Sequence, residues 1–189
     1  MFKLKMSIQR IHSGWNQKDK KRQIGQIASA VAVSIWKISK KTLLNLENEG
    51  FDTETWADRL EILKEVSCFQ VYVTNNEIKS LDKEKKINFI TDVAKKLNET
   101  VNINQVDLKI AEDQIKTKFI NLLNERLEEY SQLVYEDEPS YKARIILGNH
   151  LMIHMGELDN NWIRMYVVDQ EVPKILLSLR RPISSLLKK

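Results

Sequence analysis

The run Arg22–Glu49, RQIGQIASAVAVSIWKISKKTLLNLENE, is the stretch that most narrows the folds open to this chain. Ile24, Ala28, Val31, Ile35, Ile38 and Thr42 follow one another at spacings of 4, 3, 4, 3 and 4. That spacing lays one apolar stripe along a helix of period near 3.6. Ile27, Ala32 and Leu46 widen the stripe, which predicts a helix buried on more than one side and central to the fold. Gln26, Ser29 and Ser34 interrupt it, and the apolar run falls well short of the ~20 residues that span a bilayer. The helix is expected to be buried in protein.

Five Gly and three Pro in 189 residues leave little turn material for a sandwich or barrel of many short strands. Helices with short connections follow. The expected fold is all-α: a single-domain bundle of about six or seven mostly antiparallel helices around a central buried helix. Cys68 is the single cysteine, so an internal disulfide and a thiolate zinc site are both excluded. Its neighbours Val66, Phe69 and Val71 predict a buried, inert thiol.

Element boundaries follow from local chemistry. Gly50 is placed to close the first helix, and Asp52 or Thr53 to cap the second, with Glu54 in its first turn. Residues 66–73, VSCFQVYV, have strand propensity but no partner strand, so they are read as the end of a buried helix near Asn75-Asn76. Asp82 caps a third helix, expected to stop at a polar break over residues 98–104. A long helix is then expected from about Asp107 to Tyr135, with Glu112 and Lys116 paired at i, i+4. Residues 136–139 are a turn followed by a helix start, where Pro139 is tolerated at a first helical position, and the helix Ser140 to Met155 ends at Gly156. Asp159 or Asn160 caps a further helix, which Pro173 kinks or restarts, and Pro182 divides the Leu-rich tail.

Charge is distributed unevenly. Residues 1–22 carry seven cations against Asp19, a balance of +6, and residues 174–189 carry +5 with no acid. The whole chain is +4, so the residues between are net −7. Three segments result: a basic N-terminal arm or short helix (1–21), a helical-bundle domain (22–173) and a basic Leu-rich C-terminal helix or tail (174–189).

His150, His154 and Glu157 form the one cluster with metal-ligand flavour, because His at i and i+4 share a helix face. Glu128 or Glu129 is a further oxygen donor within reach from another helix. No Glu-x-x-His pair of the di-iron bundles occurs. Glycine loops for phosphate and a Gly-x-Ser-x-Gly elbow are missing too, so no cofactor is expected. The acids Glu125, Glu128, Glu129, Glu136, Asp137 and Glu138 are read as a solvated helix face and a helix start. Lys18, Lys20, Lys21 and Arg22 at one end, and Arg180 and Arg181 at the other, are the expected interaction surface.

These features lean towards a non-enzymatic cytoplasmic domain that binds a protein partner or a second copy of itself, as an adaptor, assembly or chaperone-like domain. Two alternatives stay open. One is a helical metalloprotein using His150 and His154. The other is attachment to nucleic acid or an anionic membrane surface through the basic ends. The N-terminal MFKLKMSIQR has no apolar run of the length a secretory signal needs.

Overall fold

The computed structural model describes residues 24–79, 81–155 and 160–187. The helices are α1 (Ile24–Asn48), α2 (Trp56–Glu77), α3 (Lys83–Asp107), α4 (Phe119–Ser131), α5 (Tyr141–Met152), α6 (Asn160–Tyr166) and α7 (Val172–Leu187). A π-helical turn, Val167–Glu171, joins α6 to α7. No strand occurs among the described residues, only an isolated bridge between Tyr135 and Pro139. The all-α bundle expected from the turn-poor sequence is what forms.

The enclosed helix is α2, not the Arg22–Glu49 stretch. Every residue from Leu60 to Thr74 is buried, including Glu61, Lys64, Glu65 and Gln70, and α1, α3, α4, α5 and α7 all touch the helix. α1 instead buries one broad face (Ile27, Ala28, Val31, Ala32, Ile35, Trp36, Ser39, Thr42, Leu43 and Leu46) and leaves Lys37, Lys41 and Leu44 in solvent. A helix covered all round has no polar face, so its sequence shows no stripe. That is why α1 was conspicuous and α2 was not. Residues 66–73 are helical within α2 and Cys68 is fully buried, both as expected.

α1 and α2 run antiparallel, stitched by Gln70 Nε2 donating to Ile35 O (3.2 Å) and Ser39 Oγ (2.8 Å) and by a Ser39–Ser67 hydroxyl contact of 3.0 Å. α4 lies along α2 in the same direction, since Glu65 meets Arg126 and Tyr72 stacks on Tyr130. α7 begins beside the end of α1, where Asn45 meets Glu171, and reaches the end of α2, where Arg180 meets Glu77. α1 and α7 therefore pack side by side, antiparallel, over α2.

Several boundaries differ from expectation. Gly50 does close α1: its φ is +88°, and Phe51 N–H reaches back to Leu46 O at 3.1 Å. The cap of α2 is Thr55, whose Oγ1 accepts from Asp58 N–H at 3.1 Å, because Thr53 is buried and donates to Glu47 Oε1 at 2.9 Å. Asp82 caps α3 as expected. α3 runs straight through residues 98–104, since Val101 continues the buried row Phe89, Val93, Leu97. Thr100 and Asn104 are absorbed by donating to carbonyls one turn back, Lys96 O and Thr100 O. The break falls later, at Leu108–Lys118, where Lys109 takes a φ of 55° and a single 3₁₀ turn spans Glu112–Gln114. Glu112 and Lys116 are thus not helical neighbours.

α5 begins at Tyr141, one residue after the expected Ser140, which caps it with Oγ accepting from Ala143 N–H at 3.3 Å, so Pro139 stands before the cap and not at a first helical position. Gly148 brings α5 and α6 together, as a Cβ there would stand 2.9 Å from Arg164 Cγ and 3.2 Å from Arg164 Cα. Pro173 lacks an N–H and its ring crowds the carbonyl four residues back. The preceding turn is widened to π geometry, Val172 N–H bonding Val167 O, and the helix continues. Nor does Pro182 divide the tail: α7 runs through it, held by buried Leu179 and Ile183 on either side, with Ile175 and Leu176 also in the core. α5 stops at Met152, short of the expected end at Gly156; Gly156 itself, the cap residue Asp159 and the segment 1–21 lie outside the described residues.

Candidate functional site

The strongest concentration of chemistry is a line of charge that starts inside α2. Glu61, Lys64 and Glu65 stand at i, i+3 and i+4, so helical geometry gathers them on one side of an enclosed helix whose buried stretch holds no other charge. Lys64 Nζ donates to Glu61 Oε1 and to Thr117 O, each at 2.7 Å, and Lys116 N–H reaches Glu61 Oε1 at 3.3 Å. Glu65 is held by both arms of Arg126 on α4, Nε to Oε2 and Nη2 to Oε1, each at 2.8 Å. Arg126 lies 3.8 Å from Glu129, and Glu129 Oε2 accepts from His150 Nε2 on α5 at 2.8 Å. The line crosses α2, α4 and α5.

His154 sits beside this line in the turn after α5, buried, with Nδ1 3.1 Å from Lys116 Nζ. Burial first, and the Lys116 cation second, push its imidazole down to a pKa of about 4. It is therefore neutral near pH 7, with Nδ1 accepting from the ammonium. Burial likewise raises the Cys68 thiol well above its usual range, with Glu65 adding to the effect. The Cys68 sulfur is a packed thiol, not a nucleophile. Tyr130 is fully buried beside the same charges, T-shaped to Phe69 at 5.7 Å and stacked on Tyr72 at 4.8 Å.

A second tie closes the other end of the bundle. Glu77 Oε1 accepts from Tyr135 OH at 2.7 Å and from Arg180 Nε at 2.9 Å, while Arg180 also bonds Asp137 O. Glu138 takes Arg144 at 2.5 Å and faces Arg180 at 3.7 Å. The acidic turn 136–138 is thus a knot joining α5 and α7 to α2. A third tie holds fully buried Glu171 between Asn45 (3.1 and 3.3 Å) and Lys174 (2.8 Å).

The residues singled out from sequence separate in the structure. α5 stops at Met152, so His154 is not on the helix face that carries His150, and each histidine has its own partner, Glu129 for one and Lys116 for the other. Glu129 does approach His150 from a neighbouring helix, as its position allowed. Glu157 lies outside the described residues, and among those described no three metal-ligating side chains converge. Lys18, Lys20, Lys21 and Arg22 also lie outside them. Arg180 is spent on Glu77 and the acidic turn, whereas Arg181 is exposed. Trp36 is core, Trp56 lies under Arg59 at 4.6 Å, and Trp162 is exposed.

Sequence reasoning missed Glu61, Lys64, Glu65, Arg126 and Glu171. The one available signal was charge at i, i+3 and i+4 inside LEILKEVSCF, a run with few other polar residues. Chemically, the arrangement holds helices together. Each buried carboxylate is already bonded to donors, which fixes the position of α2 against α4 and the loop before it. Comparison with known proteins finds no matching family, no matching curated protein and no matching solved structure.

Proposed function

We propose that the protein is a non-enzymatic, cytoplasmic binding domain of adaptor, assembly or chaperone-like character, acting through a protein partner or a second copy of itself. The observation that carries this reading is the outer face of α6. Trp162 and Met165, at i and i+3, are 67% and 54% exposed, although Ile163 and Val167 on the same segment are buried. A tryptophan and a methionine side by side in water are costly to leave uncovered, and both residue types suit contact surfaces. The interior ties support the reading from the other side, since their charged groups are engaged with one another.

Sedimentation across a hundredfold concentration range, together with photo-crosslinking from position 162 in the native host, tests it. Self-association or a defined crosslinked partner, lost in Trp162→Ser with Met165→Ser, is the expected result. A monomer whose crosslinks ignore those substitutions overturns it. The metal reading of His150, His154 and Glu157 is separable: stoichiometric metal in untagged protein, lost in His150→Ala with His154→Ala, would replace the binding reading.

A further inference from the structure

α1 and α7 present a basic outer surface that their sequences prepare and their packing assembles. From Ile24 to Leu46 the only charges on α1 are Lys37, Lys40 and Lys41. Lys37 and Lys41 are exposed at i, i+4, followed at i+7 by Leu44, which is 54% exposed. Lys40 is half-buried next to them, and its pKa is lowered first by that burial and then by Lys37. None of the three makes an ion pair among the described residues. On α7, Lys174, Leu177 and Arg181 stand at i, i+3 and i+7 on the exposed side, with Leu177 78% exposed, and no acid occurs from Val172 onward. Because the two helices lie antiparallel over α2, their solvent faces belong to one surface.

The acids near this surface are few and stand at one end of it. Glu171 is buried under Lys174 and Glu47 is taken by Arg59 at 2.6 Å, while Glu49 and Asp169 are exposed at the end of the face where α1 stops and α7 begins. Along the stretch of Lys37, Lys40, Lys41 and Arg181 neither helix carries an acid to cancel the positive potential. Its composition selects among anionic partners. Exposed tryptophan, tyrosine and phenylalanine are missing from both stripes, so no platform for stacking bases exists there. What stands among the cations is aliphatic, Leu44 on α1 and Leu177 on α7. Lysines with protruding leucines on a pair of helices match the chemistry of an anionic bilayer surface, with headgroups for the cations and the acyl boundary for the leucines. No described helix is long and apolar enough to cross a membrane, so the contact is with the surface.

We propose that the α1/α7 face, through Lys37, Lys40, Lys41, Arg181, Leu44 and Leu177, attaches the protein to an anionic lipid surface. This contact lies on different helices from Trp162 and Met165 and does not depend on them.

Co-sedimentation of the full chain with vesicles of phosphatidylcholine alone, or with a third of the lipid replaced by phosphatidylserine, tests the assignment. Binding to the anionic vesicles is expected to exceed binding to neutral ones by at least tenfold and to fall steeply with salt. Each lysine removed is expected to weaken it about fivefold, so Lys37→Ala with Lys40→Ala and Lys41→Ala loses about a hundredfold with an unchanged circular dichroism spectrum. Leu44→Ser with Leu177→Ser is expected to reduce binding at every salt concentration. Lys83→Ala with Lys85→Ala and Lys95→Ala, matched in charge on α3, and Trp162→Ser with Met165→Ser are expected to bind as wild type. Equal binding to neutral vesicles, full retention by the α1 variant, or complete loss in Lys18→Ala with Lys20→Ala and Lys21→Ala overturns the proposal. So does tighter binding to duplex DNA or to polyglutamate than to the anionic vesicles.

Discussion

α1 and α2 lie against each other for much of their length, yet they solve opposite problems. α1 keeps a clean division, apolar inward and lysine outward, and its three lysines make no ion pair among the described residues. α2 is covered on every side and carries two carboxylates and an ammonium into the core, where each finds a partner on another segment. The exposed lysines of α1, Lys37 and Lys41, are hydrated, so they contribute little to stability and stay available for contact. The charged content of α2 has given up water and depends on Arg126, Thr117 and Lys116 being in place. The same residue type, a helical lysine, is a surface charge at position 41 and a structural tie at position 64.

Breaking the tie should have the largest effect. Arg126→Ala strands Glu65 without its bidentate partner in a buried site, and a loss of about 3–5 kcal/mol in urea unfolding is expected. The double variant Glu65→Met with Arg126→Met should recover most of that loss, since it removes both charges and keeps the volume. Equal destabilisation by single and double variants would refute the pairing.

pH sharpens the contrast next. His154 titrates at about 4 in the folded chain against an ordinary 6.5, so the unfolded state binds the proton first. Stability from this group is complete above pH 6.5, falls as pH drops from 6.5 to 4, and levels off below. Allowing for solvent screening, the loss should be about 2 kcal/mol. His154→Gln should flatten the profile over that interval, and a Lys37→Gln control on α1 should leave it intact.

Smaller again is the start of α2. Thr55→Ala removes the acceptor for Asp58 N–H and should cost about 1 kcal/mol, read as a lower urea midpoint at constant slope. The outward stripe of α1 should respond least: Lys41→Gln is expected to change stability by less than about 0.5 kcal/mol. A larger change there would mean that α1 is not the simple two-faced helix described.

How much of this was legible depended on whether the physics involved was local. α1 could be read to within one residue at its end, because a stripe, a closing glycine and a polar outer face all appear in its own sequence. The cap at Asp82 was equally local. α3 was cut short at residues 98–104 because Asn and Thr usually signal a break, and their back-bonding to the preceding turn is visible only once Val101 is seen to be buried. The two histidines looked like a ligand pair because i and i+4 share a face of a continuous helix. The end of α5 at Met152 removed that premise, and Glu129 and Lys116 then took one histidine each.

By itself the sequence determined the class of fold: too few turn residues for a sheet protein, helical periodicity, one buried thiol, and cations gathered at the two ends. Those depend on composition and on neighbours a turn apart. Only the tertiary structure decided which helix is enclosed, which charges are paired and which face of the molecule stays basic. Burial on all sides erases the amphipathic signal that would announce it, and ion pairs join residues some sixty positions apart, as Glu65 and Arg126 do. The N-terminal stretch of α1, apolar and conspicuous, owes its place to being one wall around α2.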